Sequence, residues 1–204
     1  MGLATLLSLA VVPASFGNEP RSPQPDPLAD VDPTARRHYE AGLAHAHRGQ
    51  YERAIAEFNT AIRLAPDFAA AFQDRGSSYL ELQNPIAAMA DFNRAIRLTP
   101  NHSNAYYNRG NLHLRQEQYF LAIADYDQAI QLNPSDAAAW QNRALSHAIT
   151  GNLAQAVNGF QQAARLYQQQ NNPDAYQQVI AILEYFQPDL DIQATPTPNS
   201  PATP

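Results

Sequence analysis

The sequence predicts an all-α solenoid, built from four helix-turn-helix units and a C-terminal helix that caps the last unit. Two observations favour this fold class. Small, alanine and aromatic residues recur every 34 positions across about residues 35–170, and a period of that length is typical of stacked helical hairpins. The chain is also rich in Ala and Gln and has few Gly, a composition that favours helices because these side chains lose little entropy there.

The composition excludes several classes of chemistry. The 204-residue chain has no Cys and no Lys, so disulfides, thiolate metal sites, Schiff bases and a P-loop lysine are all ruled out. Its net charge of −6, without a basic run, makes it a poor binder of phosphate backbones. We therefore expect no nucleic-acid partner.

The N-terminal residues differ from the repeats. Residues 1–17 contain the apolar stretch Leu3–Val12, which has the length of a signal-peptide core and is too short to span a bilayer. Small residues at Ser15 and Gly17 predict cleavage before Asn18, although no Arg or Lys precedes the apolar stretch. A signal would place the chain in a periplasm, a lumen or the extracellular space. The alternatives are an apolar anchor, a plain tail or a helix that covers part of the solenoid, and without a signal we expect a cytoplasmic protein. Residues 18–34 are predicted to form a Pro-rich, extended linker.

The repeat divides the middle of the chain into four units, which span residues 35–68, 69–102, 103–136 and 137–170. A small residue in the first helix allows two helices to approach closely, and the second helix carries Ala, an aromatic residue and Ala on one face. A proline ends each of the first three units. We expect turns between the paired helices near Gly49-Gln50, Gln83-Asn84, Glu117-Gln118 and Gly151-Asn152. The recurring positions are Gly42, Gly76, Gly110 and Ala144; Ala54, Ala88, Ala122 and Ala156; Phe58, Phe92, Tyr126 and Phe160; Ala61, Ala95, Ala129 and Ala163; and Pro66, Pro100 and Pro134.

The fourth unit departs from this pattern. Ala144 replaces the glycine and Gln168 replaces the proline, so the last helix of the unit is expected to run on toward Gln170. Asn172-Pro173-Asp174 then predicts a new helix start, with Pro at its first position. Residues 171–187 are interpreted as a capping helix, with Val179, Ile180, Leu183 and Phe186 at helical spacing. Residues 188–204 are expected to form a disordered Pro/Thr-rich tail.

These residues and this period resemble the tetratricopeptide-repeat (TPR) family. The third unit is the clearest, with Ala105–Gly110, then Ala122–Ile130, then Leu132-Asn133-Pro134, and Trp140 stands at the family's favoured aromatic position in the fourth unit. The resemblance implies that the first helices line a concave groove that binds a partner peptide or helix. Carried over unit by unit, it places these residues in the groove: Tyr39, Gln73, Ser77, Asn104, Tyr107, Asn108, Asn111, Arg115, Gln141 and Asn142.

Some members of the family grip the C-terminal carboxylate of a chaperone with Lys, Arg and Asn. Asn108 and Asn142 stand at suitable positions for such a clamp. The chain has no Lys, however, and Tyr39 and Leu43 occupy places where Lys and Asn would be needed. The sequence therefore disfavours this clamp.

Two recurring sets of polar residues invite other interpretations. His45, His113 and His147 share one position in their units, but stacked repeats hold such positions too far apart for one metal ion, so we expect them to pack between helices. Arg75, Arg109 and Arg143 recur before the small residue, and are expected to pair with Asp91 and Asp125. Asn158 is interpreted as the fourth-unit counterpart of these aspartates, which would leave Arg143 freer to contact a ligand.

The predicted function is therefore a non-catalytic scaffold or adaptor for protein–protein interaction, which binds a protein or peptide in its groove. We expect no catalytic residue, no cofactor and no metal, and a monomer or weak oligomer. One alternative is an assembly factor for a membrane or envelope complex, held near the membrane or exported through its N-terminal segment. Another is a regulatory module of an enzyme encoded separately.

Overall fold

The computed structural model describes residues 31–193, with side chains for residues 31–186. Within this range the chain is all-helical and confirms the predicted fold class. Its nine helices are α1 Pro33–Ala46, α2 Tyr51–Leu64, α3 Ala69–Glu81, α4 Pro85–Leu98, α5 Ser103–Arg115, α6 Tyr119–Leu132, α7 Ala137–Ile149, α8 Leu153–Gln169 and α9 Pro173–Gln193. The predicted signal or anchor of residues 1–17 and most of the predicted linker lie outside the described residues.

Each repeat is a pair of antiparallel helices, and each pair packs on the next in chain order. Helices α1 and α2, α3 and α4, α5 and α6, and α7 and α8 form the four pairs, and α9 packs on α8. The first helices of neighbouring repeats also contact one another, α1 with α3, α3 with α5 and α5 with α7. The result is a continuous row of first helices, which carries every residue predicted to line the groove.

The recurring glycine gives the aromatic residue of its own repeat a place to pack. A Cβ atom at Gly42 would lie 2.5 Å from the ring of Phe58, and one at Gly76 would lie 2.8 Å from the ring of Phe92. Both rings are fully buried. Any side chain at these glycines would push the two helices of the repeat apart, which is why the small residue recurs.

The fourth repeat achieves the same close approach with the glycine on the other helix. Ala144 stands where α1, α3 and α5 carry Gly, and Gly159 of α8 lies opposite it. A Cβ at Gly159 would lie 2.8 Å from the Cβ of Ala144. There is therefore room for only one Cβ atom between the two helices at this point. In the fourth repeat the glycine lies on the second helix and not on the first.

The turns within the repeats fall where the sequence predicts them. Gly49 and Gly151 have positive φ angles of 71° and 83°, and Gln83 and Glu117 adopt the same backbone conformation with φ angles of 56° and 60°. A left-handed residue is needed here to end one helix and return the chain antiparallel. Glycine adopts it without strain, whereas Gln and Glu do so at a cost of about 1–2 kcal/mol.

Helix α1 begins earlier than predicted, inside the expected linker. Pro33 is its first residue, and the side chain of Asp32 caps it by accepting hydrogen bonds from the backbone N–H groups of Thr34 (2.8 Å) and Ala35 (2.9 Å). The predicted linker of residues 18–34 is therefore helical at its last two residues, Pro33 and Thr34. Proline fits the first helical position because its missing N–H would have no partner there anyway.

Replacing Asp32 with Ala is expected to lower the free energy of unfolding by about 1 kcal/mol, because two N–H groups of the first turn lose their acceptor. Urea unfolding followed by circular dichroism would measure this. The matched control is Gln131→Ala, an exposed residue of α6, for which we expect a change within about 0.5 kcal/mol. Equal effects of the two substitutions would contradict the capping role.

The last helices also differ in part from expectation. Helix α8 runs to Gln169 and α9 starts at Pro173, both as predicted, but α9 continues to Gln193 rather than ending before Pro188. A proline inside a helix removes one backbone hydrogen bond, yet Leu190 continues the apolar spacing of Leu183 and Phe186 beyond it. Within the capping region, Val179, Ile182 and Phe186 are buried, and the ring of Phe186 stacks on Phe160 with centroids 6.3 Å apart. The remainder of the predicted tail lies outside the described residues.

Candidate functional site

Most of the residues predicted to line the groove are buried in the row of first helices. Asn104 is half-buried and Arg115 is exposed. The other eight have at most 5% of their surface exposed: Tyr39, Gln73, Ser77, Tyr107, Asn108, Asn111, Gln141 and Asn142. Sequence reasoning found the positions on the first helices, but it did not foresee this degree of burial. Their role in binding stays a prediction.

Hydrogen bonds run between these residues from one first helix to the next. The hydroxyl of Tyr39 on α1 donates to Asp74 Oδ2 on α3 over 2.7 Å. The amide Nδ2 of Asn108 on α5 donates to the Oγ of Ser77 on α3 over 3.1 Å. One further bond continues the series to α7, from Nδ2 of Asn142 to Oδ1 of Asn111 (2.9 Å). We call these six residues the polar ladder, and it links all four repeats.

Two buried tyrosines support the ladder at its third step. The hydroxyl of Tyr126 donates to Asn111 Oδ1 over 2.7 Å, and Nδ2 of Asn142 lies 3.4 Å from the hydroxyl oxygen of Tyr107. Burial raises the pKa of both phenols well above the ordinary value of 10. Both groups are therefore neutral hydrogen-bonding partners at any physiological pH.

Gln73 and Asn111 on this row of helices each have one side-chain amide atom with unused hydrogen-bonding capacity. Oε1 of Gln73 and Nδ2 of Asn111 are buried and have no hydrogen-bond partner in the described part of the chain. Gln73 uses its other amide atom, Nε2, to donate to Asp74 Oδ1 over 3.0 Å. One unmet atom is an acceptor and the other is a donor.

Two charged residues, Asp74 and Arg115, stand among the residues of the polar ladder and the predicted groove positions. Asp74 is buried and accepts from Tyr39 and Gln73. Arg115 lies 3.5 Å from Glu81 through its Nη2 atom. Neither is a free cation of the kind that a terminal carboxylate would need.

The predicted arginine–aspartate pairs are confirmed within repeats two and three. Arg75 donates to both carboxylate oxygens of Asp91 over 2.8 and 2.6 Å, and Arg109 donates to Asp125 over 2.8 and 2.7 Å. The expected counterpart in the fourth unit was wrong, since a step of 34 from Asp125 leads to Gly159 and not to Asn158. Arg143 instead donates to Asp127, a residue that sequence reasoning did not single out.

Two of the three recurring histidines contact the turn of their own repeat. Nδ1 of His45 lies 2.7 Å from Gln50, and Nδ1 of His113 lies 2.7 Å from Gln118. Among the described residues, no group of three or more His, Asp or Glu side chains is arranged to hold a metal ion.

Burial lowers the pKa of His147 below 6.5, and the charge of Arg143 lowers it further, against a smaller raising effect of Asp127. The unfolded chain therefore binds this proton more readily than the folded chain does. The contribution of His147 is fully present above pH 6.5, and stability falls as the pH drops from 6.5 through the lowered pKa.

We expect His147→Gln to make the free energy of unfolding less dependent on pH between about 7 and 5. Urea unfolding at several pH values measures this, and an NMR titration of the ring of His147 measures its pKa directly. A ring that titrates at 6.5 or above would contradict the prediction.

Family models of the tetratricopeptide repeat match the chain at residues 27–69, 39–103, 103–136 and 125–158. Together they cover residues 27–158, which include most of the nine helices. The chain belongs to the tetratricopeptide-repeat family. The TPR fold is generally a scaffold for protein–protein interaction and not a catalyst. No curated protein matches the chain.

Solved TPR structures resemble this one. The first TPR of Spaghetti (RPAP3), bound to the HSP90 peptide SRMEEVD, is 26% identical, and the match covers 60% of this chain and 98% of that chain with a TM-score of 0.55. The first TPR domain of human RPAP3 is 25% identical and covers 58% and 94%, with a TM-score of 0.55. The crystal structure of MamA is 16% identical and covers 76% and 97%, with a TM-score of 0.56, and shows the fold alone.

In the part of the chain that the structure describes, no helix has both the length and the apolar character needed to cross a bilayer.

Proposed function

We propose that this TPR chain is a non-catalytic adaptor that binds an extended segment of a partner protein along its first helices. The observation that carries the proposal is the pair of unmet polar atoms, Oε1 of Gln73 and Nδ2 of Asn111. A peptide backbone offers one N–H donor and one C=O acceptor per residue, which are the two partners that these atoms lack. A site that hydrogen-bonds to the peptide backbone would bind partner segments of many different sequences.

The expected ligand is an internal segment of a protein and not a chain end. The first TPR of Spaghetti (RPAP3), which is 26% identical, was solved with an HSP90 peptide, and this supports peptide binding by this fold. Here the chain has no Lys, and Asp74 would repel a terminal carboxylate placed at its first step. A neutral stretch of peptide backbone suits the ladder better than a charged end.

The test places a photo-crosslinking amino acid in the full chain in its native cells. We expect the chain with the probe at Asn104, the half-buried groove position, to crosslink to a partner segment. The control is the probe at Phe120, which lies on the second helix of its repeat and is 74% exposed. Crosslinks at Phe120 only would place the interface elsewhere and reject the proposal.

The crosslinked segment is then synthesised and its affinity measured by calorimetry. We expect Gln73→Leu to weaken binding about five- to tenfold, because one hydrogen bond contributes about 1 kcal/mol. The matched control is Gln131→Leu, at an exposed position of α6, which should leave the affinity unchanged. Equal effects of the two variants would exclude a backbone contact at Gln73.

We also propose that the chain is exported, on the evidence of its N-terminal sequence alone. Intact-mass analysis of the protein recovered from native cells tests this. A mass that begins at Asn18 would support an envelope or luminal partner and the assembly-factor alternative. A mass that retains Met1 would reject cleavage.

A further inference from the structure

The three arginines of the repeats share one local arrangement. Each guanidinium lies over an aromatic ring three residues earlier, Arg75 over Phe72 at 5.4 Å, Arg109 over Tyr106 at 5.7 Å and Arg143 over Trp140 at 4.6 Å. Each also donates from Nη1 to the preceding repeat, and the acceptors are Asn59, Asn93 and Asp127. The aromatic ring and this one bond fix the side chain in the same position in all three repeats.

The repeats differ at the other edge of the guanidinium. In the third repeat, Nε and Nη2 of Arg109 donate to the two oxygens of Asp125 over 2.8 and 2.7 Å. In the fourth repeat the equivalent residue is Gly159, and Nε of Arg143 is buried without a hydrogen-bond partner among the described residues. An Asp side chain does not fit at residue 159 while residue 144 is Ala, because a Cβ atom at residue 159 would lie 2.8 Å from the Cβ of Ala144.

A histidine beside the arginine shows the same loss of partners. In the third repeat, Nδ1 of His113 lies 2.7 Å from Gln118, and its Nε2 lies 3.7 Å from Asp125. In the fourth repeat the equivalent of Gln118 is Asn152, whose side chain is one methylene shorter, and Nδ1 of His147 is buried without a partner among the described residues. The fourth repeat has thus kept the arginine and the histidine and lost these hydrogen-bond partners of both.

We propose that Arg143 and His147 form a binding site for the carboxylate of an acidic peptide, held as Asp125 is held in the third repeat. Two parallel N–H groups of a guanidinium edge match the two oxygens of a carboxylate. The existing contact with Asp127 engages only Nη1, and that carboxylate is half exposed, so its attraction is screened. This site lies between α7 and α8 and is separate from the polar ladder.

The turn that follows α7 lies next to His147 in the chain, and Asn152 N–H donates to the backbone oxygen of His147 over 2.9 Å. Gly151 and Asn152 are exposed, and a cavity of about 270 Å³ opens there, lined by residues 151–155. In the other repeats that carry the histidine, the residue at the position of Asn152 is its hydrogen-bond partner.

The test is an NMR titration of the full chain with a blocked tripeptide, acetyl-Gly-Asp-Gly-amide. We expect a saturable shift of the Nε–H signal of Arg143 and a rise in the pKa of His147, since a nearby carboxylate favours the charged imidazole. The same spectrum contains an internal control. The Nε–H signal of Arg109 should not shift, because Nε and Nη2 of this residue already donate to Asp125. The Asn-containing tripeptide is the matched neutral probe and should produce no shift.

The decisive variant is Ala144→Gly combined with Gly159→Asp, which exchanges the small residue and rebuilds the third-repeat arrangement. Its own carboxylate should compete with the peptide and weaken binding at least about tenfold. Arg143→Gln should abolish the response without depending on how well the double variant folds. An unshifted Arg143 signal, equal shifts with the Asn tripeptide, full binding by the double variant, or a response to inorganic phosphate but not to the Asp tripeptide would each overturn the proposal.

Discussion

Replacing Phe92 with Ala is expected to lower the free energy of unfolding by about 3–5 kcal/mol. The ring is fully buried and packs against Gly76 of the paired helix, so its removal loses apolar burial and leaves a space that the glycine cannot fill. A folded domain is stable by only about 5–15 kcal/mol, so this is a large fraction of the total. Because repeats are stabilised mainly by their neighbours, the loss in the second repeat should also weaken the coupling between the first and third.

Urea unfolding followed by circular dichroism measures the loss, and hydrogen exchange locates it. The control is Ile86→Ala in the same helix, where the side chain is 85% exposed and the change should stay within about 0.5 kcal/mol. We expect exchange to quicken first in α3 and α4. A Phe92 variant as stable as the Ile86 variant would show that the ring does not hold the two helices together.

The features that were predictable from the sequence are those set within one repeat. The glycine, the aromatic residue and the turn recur because each hairpin solves the same local packing problem, and the pairs of Arg75 with Asp91 and Arg109 with Asp125 join helices of one hairpin. A fixed period makes such contacts predictable from the sequence, since the same pair of residues appears again 34 residues later.

Two kinds of feature were not predictable. The first depends on contacts between neighbouring repeats, and the second on a pair of residue changes within one repeat that compensate for each other. The burial of Asn108 follows from how closely α3 and α5 lie, and the sequence pattern does not state that distance. Ala144 was recognised as a departure, but its compensation by Gly159 appears only when both helices are placed together. The sequence therefore predicted which positions on the first helices form the candidate site. It did not predict the hydrogen bonds that join them.

Replacing Asp125 with Ala is expected to lower the free energy of unfolding by about 2 kcal/mol. The carboxylate is nearly buried and accepts two hydrogen bonds from Arg109, whose side chain is 23% exposed. Its removal leaves Nε and Nη2 of a largely buried guanidinium without their acceptor, and a hydrogen bond to a charged group contributes about 1.5–3 kcal/mol. Partial exposure of Arg109 allows water to offset some of this loss, which is why we expect the lower part of the range.

The matched control is Asp127→Ala in the same helix, which removes a carboxylate that is 52% exposed and makes a single bond to Arg143. An exposed ion pair contributes about 0–1 kcal/mol, so the control should lose much less stability than the Asp125 variant. Urea unfolding of both variants in low and in high salt compares them, since salt should weaken the exposed pair more. If the two variants lose the same stability, the contact of Asp125 is no stronger than a surface pair. Arg143 would then have lost no structurally important partner in the fourth repeat, because the pair of Arg109 and Asp125 is the template for the carboxylate that is missing there.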